Sequence, residues 1–524
     1  MSLMNGWTGR TAYALQAALR MSNEAFAEHL GIGVRTVAAW RQKPDLRPKT
    51  EMQQLLDTAL EQAPPAAQSR FATLSAEAPS PVPTEGVAAD AELRLTSDPN
   101  MAAALDWLDH RAGWEPGAAR REVAARLAGL DIRDLQDRGS RRGRVDQQHI
   151  AQALHDYYGR AADGYGRYGA RLGPNTDAVT SVLTRPDWLD LDCPLTARHD
   201  RLRLAAVTPE VRLTMDQETT APAAARLAEA LALGIRMVDT PVYRLLDIAV
   251  GKHLVAGSVG VTSFVEYAAT MDLLEGELVD ALSTGVAPQP GSLPLRDHYL
   301  PDLASVLDVG NRICAGGALA LTAIARPADA FRGDADYLLL VQERSGRVIN
   351  AARRLAVIPK GIHEPLTDLR ADAQLGATLR REMEEELFGR EDIDSTVFDQ
   401  RQADPMHPSL LSEPMRWLVA EPGRLRMECT GFGLNLVSGN FEFASLIVID
   451  DEDFWTRYGG LIKANWESSK LRQYSSLDAD LISELVADVA WSNEGLFAML
   501  QGLRRLREIG GDRVDLPPVE WELR

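Results

Sequence analysis

The sequence is poor in cysteine and lysine, has no long apolar run, and carries no net positive charge. Only three cysteines occur in 524 residues, Cys193, Cys314 and Cys429. They are odd in number and far apart, and none forms a CxxC pair. This argues against a disulfide framework or a structural zinc site and fits a reducing, cytoplasmic setting. No apolar stretch approaches the roughly 18 residues that suggest a membrane span. The first twenty residues, bracketed by Arg10 and Arg20, are amphipathic rather than signal-peptide-like. No membrane partner is therefore expected. The formal net charge is −19, the wrong sign for a protein coated in nucleic acid, so any such contact must be confined to a small basic face of one domain. Walker A and G-x-S-x-G sequences are missing as well, which removes the usual signatures of a P-loop nucleotidase or an α/β-hydrolase.

What is present is the composition of a globular protein, 45% hydrophobic and 25% charged. At roughly 100–200 residues per domain the length suggests three or four units. Residues 1–62 read as short helices. Residues 63–98, rich in Pro, Ala and Ser with few large apolar residues, read as a flexible linker. Residues 99–290 read as a mainly α-helical middle domain. Ala223–Leu233 has helical spacing before Gly234, a natural C-cap, and a second helix is expected near Val265–Leu282. Tyr157, Tyr158, Tyr165 and Tyr168 in this region form either a stacking surface or half-buried packing residues. Residues 291–524 change character. Ala318–Ala325, Tyr337–Gln342, Leu355–Ile358 and Phe443–Ile449 are strand-like, with a charged helix around Leu379–Leu387 between them. The expectation is a multi-domain chain ending in an α/β domain.

The most informative N-terminal segment is Ser22–Gln42, SNEAFAEHLGIGVRTVAAWRQ. Ser22 can cap a helix with Glu24 in its first turn. Phe26, Ala27 and Leu30 follow at helical spacing, and Gly31 suits a tight turn that needs positive φ. A second helix then begins near Val34, with Val37 and Trp40 facing inward and Arg35, Thr36 and Arg41 on the other side. The pattern resembles the XRE (Cro-like) helix-turn-helix repressors, whose A-x-x-L-G-[IV]-x-x-x-T-[VI]-x-x-W run is matched by Ala27, Leu30, Gly31, Ile32, Thr36, Val37 and Trp40. The resemblance implies an all-α DNA-binding domain of bacterial type. Its second helix would read the major groove of double-stranded DNA through Arg35, Thr36 and Ala39, while Arg41, Lys43, Arg47 and Lys49 hold the phosphates. Residues 1–62 contain seven Arg or Lys against six Asp or Glu, so one copy would bind modestly. A homodimer or higher homo-oligomer on paired half-sites is expected.

The second informative segment is Tyr337–Glu391. Glu382, Glu385 and Glu386 share one face of a helix, and clustered carboxylates of this kind suit Mg²⁺ or Mn²⁺. Arg381, Glu382, Met383, Glu385 and Glu386 match the R-E-U-x-E-E core of the Nudix box, and the PKG turn at Pro359–Gly361 precedes it. The resemblance implies an α/β/α sandwich with candidate metal ligands Glu382, Glu385 and Glu386 and a candidate catalytic Glu385 acting on a nucleoside-diphosphate bond. The sequence departs from that pattern. Gly361 lies twenty residues before Arg381 instead of fourteen, Ala373 stands where a Glu is expected, and Phe388 occupies the place of a Gly that arrives one residue late as Gly389. These departures favour a Nudix-like module that senses a nucleotide-like ligand or has a structural role over an active hydrolase. His363 and His407 have no second ligand at metal spacing and read as surface or second-shell residues. The expected whole is a cytoplasmic, nucleoid-associated transcriptional regulator; the alternative is a metal-dependent Nudix-type hydrolase localised by its DNA-binding domain.

Overall fold

The computed structural model describes residues 7–524 apart from 20, 22, 34–35, 38, 41–45, 62, 65–70, 72–90, 97, 99, 162–163, 175, 212, 214, 236, 347–350, 391–404 and 463–467. The chain is multi-domain and α/β, and divides into two compact units, Met1–Asp90 and Ala91–Arg524.

The first unit is helical. Its helices are α1 (Gly9–Leu19), α2 (Asn23–Leu30) and α3 (Thr50–Glu61), with residues 36–37 and 39–40 helical between α2 and α3. Leu15, Phe26, Ala27, Leu30, Val37, Trp40 and Leu56 bury one common core. Phe71 joins that core against Trp7, their rings 5.6 Å apart.

The second unit opens with packed helices. Residues 91–96 are helical, with Ala91 and Leu95 buried against α4 (Met101–Ala112), α5 (Ala118–Gly129) and α8 (Gln217–Leu233). The part of the expected linker that is described is thus structured at both ends, at Phe71 and at 91–96; residues 72–90 lie outside the described residues. The alanines of α4 and α8 let the helices approach closely. Asp109 at the end of α4 accepts from the N–H groups of Gly117 (2.6 Å) and Ala119 (2.7 Å) and so fixes the start of α5. Two further helices, α6 (Ile132–Arg142) and α7 (Gln147–Tyr158), lead into the first strands.

Those strands correct the expectation of a mainly helical middle region. β1 (Gly166–Leu172), β2 (Thr176–Thr184), β3 (Leu189–Pro194), β4 (Asp200–Leu204), β5 (Pro241–Gly251) and β6 (Leu254–Ser263) all fall inside residues 99–290. The boundary expected at 290 is absent for the same reason. β7 (Gly316–Arg326), β8 (Asp336–Arg344), β9 (Leu355–Val357), β10 (Lys360–Ile362), β11 (Leu425–Asn435), β12 (Phe441–Ile449), β13 (Ser468–Ser475) and β14 (Val519–Leu523) share one mixed sheet with β1, β2 and β3. The order along it is β13-β8-β7-β12-β11-β2-β1-β14, while β4, β6 and β5 form a separate small sheet. Strands β7 and β12 are parallel, with Gly316 opposite Phe441 and Ile324 opposite Ile449.

The central strands are buried on both faces, which is why they are nearly continuous apolar runs. Leu319, Leu321, Ala323 and Ala325 of β7 point to one face, with Ala444, Leu446 and Val448 of β12 and Leu339 and Val341 of β8. Helix α11 (Asn493–Ile509) covers that face with Leu496, Phe497, Leu500 and Leu503. Residues of the opposite parity, including Ala318, Ala320, Ile324, Phe441, Phe443, Leu338 and Leu340, point to the other face, where Leu379 and Met383 meet them. Gly502 of α11 lies so close to Leu321 that an added Cβ would come within 2.7 Å. The three cysteines are buried and free, and Cys193 and Cys429 are direct partners across β3 and β11. Among the described residues no helix is long and apolar enough to cross a membrane.

Candidate functional site

In the first unit, α2 ends at Leu30 and the chain turns at Gly31, whose φ is +67°. A side chain there would be strained although space is open. The N–H of Ile32 donates to Ala27 and that of Thr36 to Gly33 (2.8 Å), closing the turn. The Phe26 and Trp40 rings meet edge to face at 6.5 Å, and both are buried with Val37. This leaves Thr36 exposed and Ala39 half-buried, with Arg47 and Lys49 exposed further on. Arg35, Arg41 and Lys43 lie outside the described residues, as does Ser22. Asn23 is the first residue of α2, and its Oδ1 accepts from Gln16 Nε2 at 2.9 Å, tying α2 to α1.

In the second unit, the acidic segment is a helix, α10 (Leu375–Glu382), that passes directly into a π turn at Met383–Leu387. Asp200 of β4 accepts from Gly376 N–H at 2.9 Å and pins the helix start. Phe388 N–H donates back to Met383, five residues earlier. A π turn accommodates one residue more than the α-helical repeat. Gly389, at φ +69°, ends the segment.

Each carboxylate of the segment has an internal partner. Arg381, itself buried, donates to Glu382 Oε1 at 2.6 Å and to the carbonyls of Ile362 and Glu364, and stands 4.0 Å from Glu385. Burial alone would depress the Arg381 guanidinium, but Glu382, Glu364 and Glu385 raise it, so it stays charged. Glu386 Oε2 accepts from Lys360 N–H at 2.7 Å, and Glu384 accepts from Ser412 N–H at 3.0 Å. The Glu382 carboxyl lies against Gly361, where a Cβ would fall 1.9 Å from its carbon. The glycine of the PKG turn is therefore required for this side chain to fit. Among the described residues no group of three His, Cys, Asp or Glu side chains converges as a metal site. Of the three candidate ligands, Glu382 is bonded to Arg381, Glu386 accepts a backbone N–H through Oε2, and Glu385 stands 4.0 Å from Arg381.

Beside this helix lies a polar network that the sequence reading missed. Lys360 Nζ pairs with Glu494 at 2.5 Å, and Asn435 Nδ2 donates to Glu494 at 3.1 Å and to Glu442 at 3.5 Å. Glu442, Glu494 and Asn435 are all buried. Burial, reinforced by Glu494, pushes the Glu442 carboxyl up to about 8, while Lys360 holds Glu494 below its ordinary value against the opposing effect of burial. Burial also lifts Glu275 to about 7 with help from Asp272 and Glu494. Isolated charges in apolar surroundings, Glu442 in FEFASLIVI above all, were the available signal: a lone carboxyl in a strand buried on both faces must find a partner.

His363 is fully buried, so of its two sequence readings, surface or second-shell, the surface one fails. Its Nε2 donates to the Ala373 carbonyl (3.2 Å), leaving Nδ1 to accept from the Thr378 hydroxyl (2.7 Å). Burial and the nearby Arg381 depress it to about 3, so the imidazole is neutral and locks β10 to α10. Of the tyrosines, Tyr157 donates to Asp297 (2.5 Å), Tyr158 to the Leu300 carbonyl (2.9 Å), and Tyr168 is buried and accepts from Gln501. Tyr165 is half-buried, edge to face with Trp188 and under the Arg185 guanidinium, so all four are packing residues. Against known proteins, no family profile matches the chain and no curated protein is significantly similar to it.

Proposed function

We propose that this protein is a sequence-specific DNA-binding regulator of helix-turn-helix type, acting as a homodimer or higher homo-oligomer. The observation that supports this reading is the Gly31 turn between two helices whose inner faces meet at Phe26 and Trp40, with Thr36 left exposed at the start of the second. That is the arrangement a recognition helix needs to enter the major groove. The second unit, with its Nudix-like acidic helix, then acts as ligand sensor or structural module, and the protein works where DNA is, in the cytoplasm on the nucleoid.

Selection from a random duplex library with the full-length protein tests the reading. Enrichment of a two-fold symmetric sequence is expected, lost on Arg35→Ala. Arg47→Ala and Lys49→Ala should instead weaken all sequences alike, each lowering the salt slope of binding by about 1. A wild-type protein that enriches nothing, or that loses nothing on Arg35→Ala, would sink the reading.

A metal-dependent hydrolase is the second reading, less favoured because Glu382 is bonded to Arg381 and Glu386 Oε2 to the Lys360 backbone N–H. Divalent-metal-dependent turnover of nucleoside-diphosphate compounds by the wild type, abolished in Glu385→Ala, would reinstate it.

A further inference from the structure

Cys193 of β3 and Cys429 of β11 stand directly opposite each other in an antiparallel pairing. Two residues along the same ladder the Leu195 N–H donates to the Met427 carbonyl at 2.9 Å. Hydrogen-bonded positions alternate along such a ladder, so Cys193 and Cys429 occupy one too. The Cα atoms of a hydrogen-bonded pair lie about 5.5 Å apart, inside the roughly 4.4–6.8 Å that a disulfide spans. Side chains directly opposite each other leave a sheet on the same face. Here that face belongs to the core that also holds Met383 of the acidic segment and Leu278 of the helix Leu273–Ser283 (α9), and both cysteines are fully buried in it.

The two thiols are free, and what they bond to is easily given up. The Cys193 S–H is directed at the carbonyls of Pro194 and His199, 3.8 Å from each, and that of Cys429 at the Gly431 carbonyl, 3.6 Å away. An S–H is a weak donor. Cys314, the third cysteine, lies before β7 with its thiol 3.8 Å from the Gly439 carbonyl. The two strands are held in register from the side of α11. There Arg505 binds Glu428, next to Cys429, at 2.7 Å and Asp192, next to Cys193, at 3.3 Å. Strain is concentrated on β3. Just past the pair the register shifts, so that Gly431 faces Leu189, and Asp190 and Asp192 sit at φ +50° and +44°. Non-glycine residues at positive φ are costly and persist where the surroundings impose them. Among the described residues β11 is the one strand that β3 pairs with. A local opening of β3 therefore releases strain, breaks a single ladder and uncovers both thiols.

We infer that Cys193 and Cys429 are a site of reversible disulfide formation, with hydrogen peroxide as the oxidant. One thiolate attacks a peroxide oxygen, the O–O bond breaks, and a sulfenic acid and hydroxide result, the hydroxide taking up the thiol proton as water. The second sulfur then attacks the sulfenic sulfur, the S–O bond breaks, and a second water leaves as the S–S bond forms. The two thiols together lose two electrons and two protons, and the peroxide is reduced to two waters. Burial pushes the Cys193 thiol up to about 12 and the Cys429 thiol well above its ordinary value. The folded pair is therefore protonated, and oxidation follows the opening of β3, more slowly than at an exposed thiol. Cβ atoms across a ladder are about 4.5–5.5 Å apart, whereas a relaxed disulfide holds them at about 3.5–4.5 Å. The bond is strained for that reason and readily reduced, as regulatory disulfides are. It ties β3 to β11 where the chain leaves the large sheet for β4 of the small one.

The test is prolonged treatment of the folded, full-length protein with hydrogen peroxide, followed by unfolding, alkylation and mass spectrometry. A loss of about 2 Da is expected, for the two hydrogens removed. One alkyl group should be taken up instead of three, and digestion should release a linked peptide pair containing Cys193 and Cys429. Dithiothreitol should restore all three alkylation sites. The circular dichroism spectrum should not change on oxidation, since the bond joins strands that are already paired. Cys193→Ser and Cys429→Ser should each abolish the mass loss, whereas Cys314→Ser should keep it. Three alkyl groups on the peroxide-treated wild type, a link through Cys314, or a link that forms only in urea would overturn the inference.

Discussion

Glu442 is a single carboxyl whose environment makes a measurable difference to the whole protein. In an unfolded chain it ionises near 4.5, whereas in the buried network with Glu494, Lys360, Asn435 and Glu275 it keeps its proton up to about 8. Between those values the folded state binds one more proton than the unfolded state, so stability falls as pH rises. Its contribution is fully present below 4.5 and is lost through the folded value. Glu275 acts in the same sense, up to about 7. The urea midpoint of the wild type should therefore decline across this window. Glu442→Gln, which keeps the shape and an Asn435 partner but cannot ionise, should flatten the decline. Parallel curves for the two proteins would show that Glu442 is not held protonated.

At the level of elements, two glycines of one motif are needed for different reasons, and the difference can be measured. Gly361 of β10 has no room for a Cβ because the Glu382 carboxyl fills the space. Gly361→Ala must push Glu382 off Arg381 and should cost about 1–3 kcal/mol, as overpacking does. Gly389 has open space around it but a φ of +69°, so Gly389→Ala pays only for the left-handed backbone, about 1–2 kcal/mol. Pairing each with Glu382→Ala separates them by denaturant midpoint. The Gly361 penalty should shrink when Glu382 is truncated and the Gly389 penalty should not; equal coupling for both would refute this account. Much of this element was legible in advance. The four apolar runs that became β7, β8, β9 and β12, the Gly234 cap and the Gly31 turn were all readable, because they rest on local periodicity and on backbone conformations that only certain residues tolerate. The π turn was not foreseen, since an inserted residue in a helix leaves no compositional trace. Among the missed strands, β1 (GRYGARL) and β4 (DRLRL) are short, carry little apolar signal of their own and gain their identity from partners distant in the chain. The pairing of Cys193 with Cys429 and the Lys360–Glu494 ion pair, which spans 134 residues, are invisible to spacing for the same reason.

The whole molecule consists of two units of very different size, each with its own core. Trp40 closes the core of the first, and Phe497 of α11 is buried in the sheet core of the second. The contacts change between Asp90 and Ala91, inside the segment expected to be a linker, and the further division at 290 fails because β2 and β11 are neighbours in one sheet. A sheet shared across that position makes residues 91–524 one cooperative body, whereas the first unit does not depend on it for a core. Truncating a buried aromatic costs about 3–5 kcal/mol, enough to unfold a small helical unit or to shift a large one by several degrees. Scanning calorimetry of the full-length protein should therefore resolve two transitions of unequal enthalpy, the smaller from the first unit. Trp40→Ala should lower or abolish only the small transition, and Phe497→Ala should lower only the large one. If both substitutions moved the same transition, the two cores would be energetically one.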